Sequence, residues 1–216
     1  MNPAFSGWKE GLMYYGPVIA VGVAMCLALR HWGCGWVGVP VVVAGFAMML
    51  FFRDFPRTIT AAPNEIVSPA DGTVVAIEDL ADSPHYSGAS RRVSIFMSVF
   101  SVHVNRAPFD CTVKDVRYAP GKYRDARDPD SSKVNESNAI WLDTPKGPVT
   151  VRQISGAVAR HIVCPVKPGT ALTKGEKFGM IRFGSRVELY LPPGTEVCVG
   201  MNQKVSAGTT IMARFK

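Results

Sequence analysis

Between Gly11 and Phe52 the chain carries a single charged residue, Arg30. So long a stretch with one charge cannot serve as an ordinary water-facing surface, so it must be covered by protein or by lipid. Two apolar runs lie inside it, Tyr15 to Leu29 and Trp36 to Phe52, separated by Arg30-His31-Trp32-Gly33-Cys34-Gly35. As helices, runs of about 15 to 17 residues reach roughly 22 to 26 Å, short of the ~30 Å hydrocarbon core. Val41-Val42-Val43 and Met49-Leu50-Phe51-Phe52 are apolar on every helical face, which suits lipid or a buried core better than a half-exposed surface. The expectation is a shallow, membrane-associating helical hairpin over residues 1–57. A cleaved signal peptide fits less well: the first run lacks a strongly basic start and a small-residue cleavage site, and a second apolar run follows it. Arg53 and Arg57 come directly after the second run, a positive flank that favours the cytoplasmic side of a cell membrane.

Residues 58–216 behave differently, with 20 Lys and Arg against 15 Asp and Glu. Short β-branched runs alternate with Gly, Pro, Asp and Asn: Gly72 to Ile77, Arg92 to Met97, Ala139 to Leu142, Val149 to Ile154 and Arg186 to Leu191. In the last, Val187, Leu189 and Leu191 alternate with Arg186, Glu188 and Tyr190, which predicts a half-buried strand. No helical period persists beyond Pro63. A weak repeat relates Val166–Phe178 to Val199–Ile211, with a glycine at Gly175 and Gly208, as in hairpins of lipoyl and biotinyl domains. The fold class expected is mainly β, a barrel-sandwich-like antiparallel domain preceded by the hairpin.

The five cysteines (Cys26, Cys34, Cys111, Cys164, Cys198) form no CxxC pair and are odd in number, so reduced packing residues are expected. No metal-ligand spacing, phosphate loop or serine-hydrolase elbow is present. The Lys and Arg are scattered, which argues against nucleic acid and leaves an anionic lipid surface as the simpler partner.

Four histidines narrow to one. His31 falls in the break between the apolar runs, His85 in a polar turn expected to be exposed, and His161 in a strand-like stretch. His103 sits within the apolar run Phe96 to Pro108, beside Asn105 and Arg106, where an imidazole is either a satisfied core residue or a working one. Tyr118 to Asn138 is polar without apolar period, so it reads as a loop that is functional or an inert excursion. Arg106, Lys122, Arg124 and Arg127 are the phosphate-binding candidates on charge alone.

Three segments, in order, resemble the motifs of the phosphatidylserine decarboxylases. Ser68-Pro-Ala-Asp71-Gly72 is similar to the first motif, Phe96 to Pro108 to the histidine motif, and Arg182-Phe-Gly184-Ser185-Arg186 through Pro192 to the self-cleavage site. The resemblance covers roughly residues 60 to 216, an amino-terminal apolar segment belongs to the pattern, and Gly-Ser-Arg marks the short form of the family. Two departures are visible: Arg106 stands at the place of a second histidine, and Asn135-Glu136-Ser137 at that of an Asn-Glu-Arg loop motif.

Decarboxylating an amino acid leaves a carbanion that needs an electron sink. The resemblance implies that the chain makes its own: Ser185 Oγ attacks the Gly184 carbonyl, an ester forms, and β-elimination splits the chain into a β chain, 1–184, and an α chain, 185–216. Hydrolysis of the resulting dehydroalanine leaves a covalent pyruvoyl group at position 185, which forms a Schiff base with phosphatidylserine, releases CO2 and yields phosphatidylethanolamine. His103 is the implied base for cleavage and acid for protonation, with Asp71 orienting it, although Asp71-Gly72 fits an ordinary β-turn equally well. The expected partners are phosphatidylserine, the membrane surface and the two cleaved chains as a heterodimer, with higher oligomers left open. Two alternatives stand: a non-enzymatic membrane-anchored barrel-sandwich adaptor, and a decarboxylase of another serine-headgroup phospholipid.

Overall fold

A computed structural model of the chain describes residues 5–128, 130–157, 161–182 and 185–216. These form two compact units, one of Ser6–Phe55 and one of Pro56–Lys216 together with Phe5.

In the first unit, α1 (Gly7–Leu29) has 23 residues and α2 (Val39–Phe51) has 13, with 3-10 turns at Arg30–Trp32 and Gly35–Gly38 between them. At 1.5 Å per residue α1 is about 34 Å long, enough for a hydrocarbon core. It exceeds the expected length because the helix begins at Gly7, ahead of the apolar run, and takes in Trp8-Lys9-Glu10. The pair is therefore asymmetric, one helix of spanning length and one short. Glycines let the helices approach: a Cβ on Gly22 would meet Val42, one on Gly45 would meet Ile19, and one on Gly11 would strike the Phe52 ring. Asp54 closes the open end, its Oδ2 accepting from Gly7 N–H at 3.1 Å and its carbonyl from Trp8 Nε1 at 3.2 Å. Leu12, Val21, Leu27, Val43, Phe46 and Leu50 face outward and are exposed. Small residues inside and large apolar ones outside invert a water-soluble protein and match helix pairs in lipid.

The second unit is built of β1 (Glu65–Val67), β2 (Gly72–Leu80), β3 (Ser90–Met97), β4 (Val104–Arg106), β5 (Cys111–Ala119), β6 (Ser137–Thr144) and β7 (Gly147–Ile154). It continues with β8 (Ile162–Val163), β9 (Ala171–Leu172), β10 (Lys177–Ile181), β11 (Ser185–Leu191), β12 (Glu196–Val197), β13 (Lys204–Val205) and β14 (Ile211–Arg214). One helical turn, α3 (Ser131–Val134), interrupts the polar loop. An eight-stranded antiparallel sheet runs β13-β2-β3-β11-β7-β6-β5-β9, flanked by three-stranded sheets β1-β14-β12 and β4-β10-β8. Register shifts at Val74/Ala76 and Val113/Asp115 curl the large sheet, since a bulge bends and over-twists its strand. The core between the sheets holds Ile66, Val74, Ile95, Phe178, Val187 and Met212.

The weak sequence repeat is a structural one. The Gly175 and Gly208 turns both have positive φ (82° and 76°), as do Gly169 and Asn202 one turn earlier (88° and 63°). Equivalent strands β9 and β13 lie at opposite edges of the large sheet, and β10 and β14 at the centres of the two small ones. The hydrogen bonds are reciprocal. Val67 N–H donates to Pro108 O and Arg106 N–H to Pro69 O; Gly208 N–H donates to Ser68 O and Gly175 N–H to Ala107 O.

Two expectations fail on the outer face of the sheet. β11 is buried at all seven positions rather than half-buried, because Arg186, Glu188 and Tyr190 are covered too. Fully buried Glu188 accepts from Tyr190 Oη at 2.7 Å and lies 3.5 Å and 3.7 Å from Arg152 and Arg92, so the charge is compensated where it is desolvated. His85, expected to be exposed, is buried, its ring edge-on to Tyr190 with centroids 4.5 Å apart. Burial, then the nearby Arg152 and Arg117, push its pKa down to about 4.

A histidine that resists protonation when folded binds a proton more readily when unfolded. Its contribution is therefore complete above the unfolded pKa of about 6.5 and is lost as pH falls towards 4, a span worth on the order of 3 kcal/mol. Chemical denaturation of the detergent-solubilised chain at pH 7 and pH 5 should show a loss in the wild type about 2 kcal/mol larger than in His85→Phe. Equal losses in both would assign the acid sensitivity elsewhere.

Candidate active site

The three motif segments meet across adjacent strands. The Ser68–Gly72 turn opens β2, the histidine segment begins on β3, and Ser185 opens β11, with β3 hydrogen-bonded between the other two. In register, Thr73 faces Phe96, Phe96 faces Arg186, and Met97 faces Ser185. A Cβ on Gly72 would collide with the Phe96 carbonyl, so the residue after Asp71 has to be glycine for the strands to close. Ser185 is fully buried on the core face, and its Oγ donates to Met97 Sδ at 3.4 Å. Gly184 lies outside the described residues.

His103 is fully buried immediately before β4. Its carbonyl accepts the N–H of Ile181, the last residue of β10, at 3.3 Å. The chain thus leaves β10 beside His103 and enters β11 at Ser185. Four residue steps separate Ile181 from Ser185, a reach of at most about 14 Å.

Asp71 is committed to other partners. Its Oδ2 accepts from Arg57 at 2.9 Å and its Oδ1 from Ala207 N–H at 2.7 Å, and among the described contacts neither oxygen bonds the His103 ring. Asp110 in the other half makes the same bond, accepting Lys174 N–H at 2.7 Å. Capping the glycine hairpin is therefore a property of both halves, and the ion pair with Arg57 is particular to Asp71. The link from this turn to the histidine strand runs through Pro69, whose carbonyl accepts from Asn105 Nδ2 at 3.4 Å and Arg106 N–H at 3.0 Å.

A buried polar chain that the sequence reading did not single out leads away from Ser185. Asn105 Nδ2 approaches the Met97 sulfur that takes the Ser185 hydroxyl, at 4.0 Å; Gln153 Nε2 donates to Asn105 Oδ1 at 2.9 Å, and Asn138 Nδ2 to Gln153 Oε1 at 3.2 Å. The available signal was polar residues inside apolar strands: Gln153 interrupts β7 and Asn105 follows Val104. The charge-based candidates have other duties. Arg106 is buried and donates to Gly175 O at 2.8 Å, and exposed Arg127 pairs with Asp125 at 2.6 Å. Arg124 and Lys122 lie in a loop stapled by Asn135, which accepts from Arg124 N–H and donates to Arg124 O and Ser155 O. Arg186 grips the same loop through the carbonyls of Ala126, Arg127 and Asp128 at 3.1, 3.5 and 3.4 Å. Among the described residues no cluster of three His, Cys, Asp or Glu could hold a metal ion.

A model of the family described as phosphatidylserine decarboxylase matches residues 45–213. The chain belongs to the phosphatidylserine decarboxylase family. Proteins named phosphatidylserine decarboxylase proenzyme are similar along nearly their whole length: one from Nitrosomonas eutropha is 43% identical over 202 residues, 93% of each chain. Others come from Ralstonia pickettii, 43% identical over 208 residues, and Magnetococcus marinus, 41% over 209, each covering 96% of this chain and 94% of the relative. In this member of the phosphatidylserine decarboxylase family, the register of β2, β3 and β11 brings the Ser68–Gly72 turn, Met97 and Ser185 to the same end of three adjacent strands.

Replacing Asn105 by Leu leaves the Gln153 amide buried without its acceptor, at a cost of about 1 to 3 kcal/mol. Because the two side chains share that bond, Asn105→Leu with Gln153→Leu should be less destabilised than the sum of the single variants by about 1 kcal/mol. Strict additivity in urea unfolding would show that the chain is not a coupled unit.

Proposed function

We propose that this chain is the proenzyme of a membrane-bound phosphatidylserine decarboxylase, cut between Gly184 and Ser185 and converting phosphatidylserine to phosphatidylethanolamine and CO2. The observation that carries this reading is Ser185: fully buried, first in a central strand, and four residues after Ile181, whose N–H donates to the His103 carbonyl.

The Ser185 hydroxyl proton rests on a thioether, a weak acceptor that competes little with a base. His103, where β10 turns towards Ser185, takes that proton as Oγ adds to the Gly184 carbonyl, and the amide nitrogen is protonated as the ester forms. Asp71, held by Arg57 and the Ala207 N–H, acts on His103 only indirectly, by fixing the turn whose Pro69 carbonyl holds Asn105 and Arg106. Removal of the Ser185 Cα proton then expels the Gly184 carboxylate, which keeps the former Oγ. Water replaces the nitrogen of the dehydroalanine, and ammonia leaves. The side chains around Ser185 fit a pyruvoyl group: it is close to the serine in volume, uncharged, and sits against Met97 and the apolar core. Its ketone supplies what no side chain can, a covalent partner for the substrate amine and a sink for the electron pair left when CO2 departs. His103 holds the proton returned to the substrate carbon.

The cut chains stay together. β11 pairs with β3 and β7, β13 with β2, and β14 with β1, so the 32 residues of the α chain remain woven into two sheets. The working protein is then an αβ heterodimer. Its substrate cannot readily be drawn into water: at about 0.8 kcal/mol per methylene, exposing two acyl chains costs on the order of 20 kcal/mol. The glycine-seamed hairpin keeps the enzyme at the bilayer, and the cytoplasmic face of the cell membrane is the side supported by the flanking Arg53 and Arg57 and by the surplus of positive charge on residues 58–216.

Intact-mass spectrometry tests the assignment. The wild type should give fragments of 184 and 32 residues, the smaller lighter than encoded by one ammonia. Ser185→Ala should remain whole and inactive, and His103→Ala should remain whole. A wild-type chain that decarboxylates phosphatidylserine uncut, or a Ser185→Ala variant that keeps activity, refutes the mechanism. Normal cleavage of His103→Ala removes its role as base.

A further inference from the structure

Phe100 is 84% exposed, the most exposed large apolar side chain among the described residues, and Val99 beside it is 48% exposed. They form the tip of a short turn between β3 and β4. The turn is held shut by Ser101 N–H donating to Ser98 O at 2.9 Å and by the Ser98 and Ser101 hydroxyls 3.2 Å apart. Adjacent large apolar side chains on a preformed turn mark a contact surface rather than scattered surface apolarity.

The placement of this turn is informative. It leaves β3 at Met97, which holds the Ser185 hydroxyl, and returns at His103. Phe100 is three residues from each, so its Cα is within about 11 Å of both. The headgroup zone of a leaflet is roughly 5 to 8 Å deep. An aromatic side chain seated at the hydrocarbon boundary would therefore hold Met97 and His103 within about 11 Å of that boundary, beside the headgroup zone.

We propose that Val99 and Phe100 are a membrane-inserting wedge that delivers the active site to phospholipid headgroups while the acyl chains stay in the bilayer. The inference rests on the function proposed above. Its occupant is the bilayer surface: the carboxyl unit carries five surplus positive charges on residues 58–216, which complements an anionic leaflet. The wedge explains how a fully buried serine can serve a substrate that does not leave the membrane.

The test uses the full chain in nanodiscs with two substrates: long-chain phosphatidylserine embedded in the disc, and a short-chain, water-soluble phosphatidylserine added to lipid discs lacking it. The Val99→Ser, Phe100→Ser double variant should cleave itself normally and turn over soluble substrate within about twofold of wild type, but embedded substrate at least about tenfold more slowly, the scale of removing a single apolar side chain from an interface. Phe100→Trp should retain wild-type turnover of embedded substrate. A benzoyl-phenylalanine placed at position 100 should photo-crosslink to phospholipid. Equal loss on both substrates, loss on neither, or a crosslink joining two protein copies overturns the wedge. If the wild type turns over neither substrate the functional reading fails first, and lipid crosslinking at position 100 still separates that failure from failure of the wedge.

Discussion

Everything in the carboxyl unit depends on one strand being buried on both faces and paired on both edges. β11 pairs with β3 along its whole length and with β7 along most of it, and all seven of its residues are buried. Its inner face completes the apolar core, and its outer face carries the compensated cluster of Glu188, Arg92, Arg152 and Tyr190. Because Ser185 is the first residue of this strand, its position is set by the entire sheet. A reacting group on a loop would be held less firmly. The same pairing keeps the chains together after a cut at residue 185, since no ladder bond of β11 crosses the cleavage point.

The approximate two-fold relation between the halves separates what the fold requires from what the chemistry requires. By the reciprocal hydrogen bonds, Arg106 corresponds to Val67, so Asn105 stands where the first half has Ile66, and His103 where it has Asn64. Ile66 and Val67 are ordinary core residues. Their polar counterparts in the second half are employed differently: Asn105 begins the amide chain and Arg106 pins the Gly175 hairpin. Asp71 and Asp110 go the other way, sharing one structural bond, so the aspartate of the first motif owes its position to the fold and only its partnership with Arg57 to its own half. The site is built where the two halves differ.

Much of this was legible from residue order. Strand runs, the hairpin repeat and the three motifs all rest on local patterns: β-branched alternation, glycines at positive φ, and short segments whose residues act together. What stayed hidden depends on contacts between distant segments. Alternation in β11 cannot reveal that a second polar layer covers its outer face, because Glu188 finds its partners on β3 and β7. His85 looked exposed because its turn is polar, and only the fold lays it on Tyr190. Met97 reads as core filler until its sulfur is found between Ser185 and Asn105. The glycines of the amino-terminal unit carry no apolar signal, yet they decide how closely its helices pack.

Pinning both ends of the connection before Ser185 also bears on how such a site manages with modest catalytic groups. Self-cleavage is needed once per molecule, so it can be slow, and fixing a hydroxyl near its target carbonyl can replace an effective concentration of about 10⁵ M or more. The thioether contact of Ser185 suits that requirement. A strong acceptor would hold the hydroxyl in a deep well, whereas sulfur orients it weakly and gives up the proton to a better base. Rigid strands on either side supply the positioning, which under the proposed mechanism leaves His103 only a proton to move. Arg106, at the place of a second histidine, is compatible with this economy, because the arginine secures the Gly175 hairpin from which β10 runs back past His103.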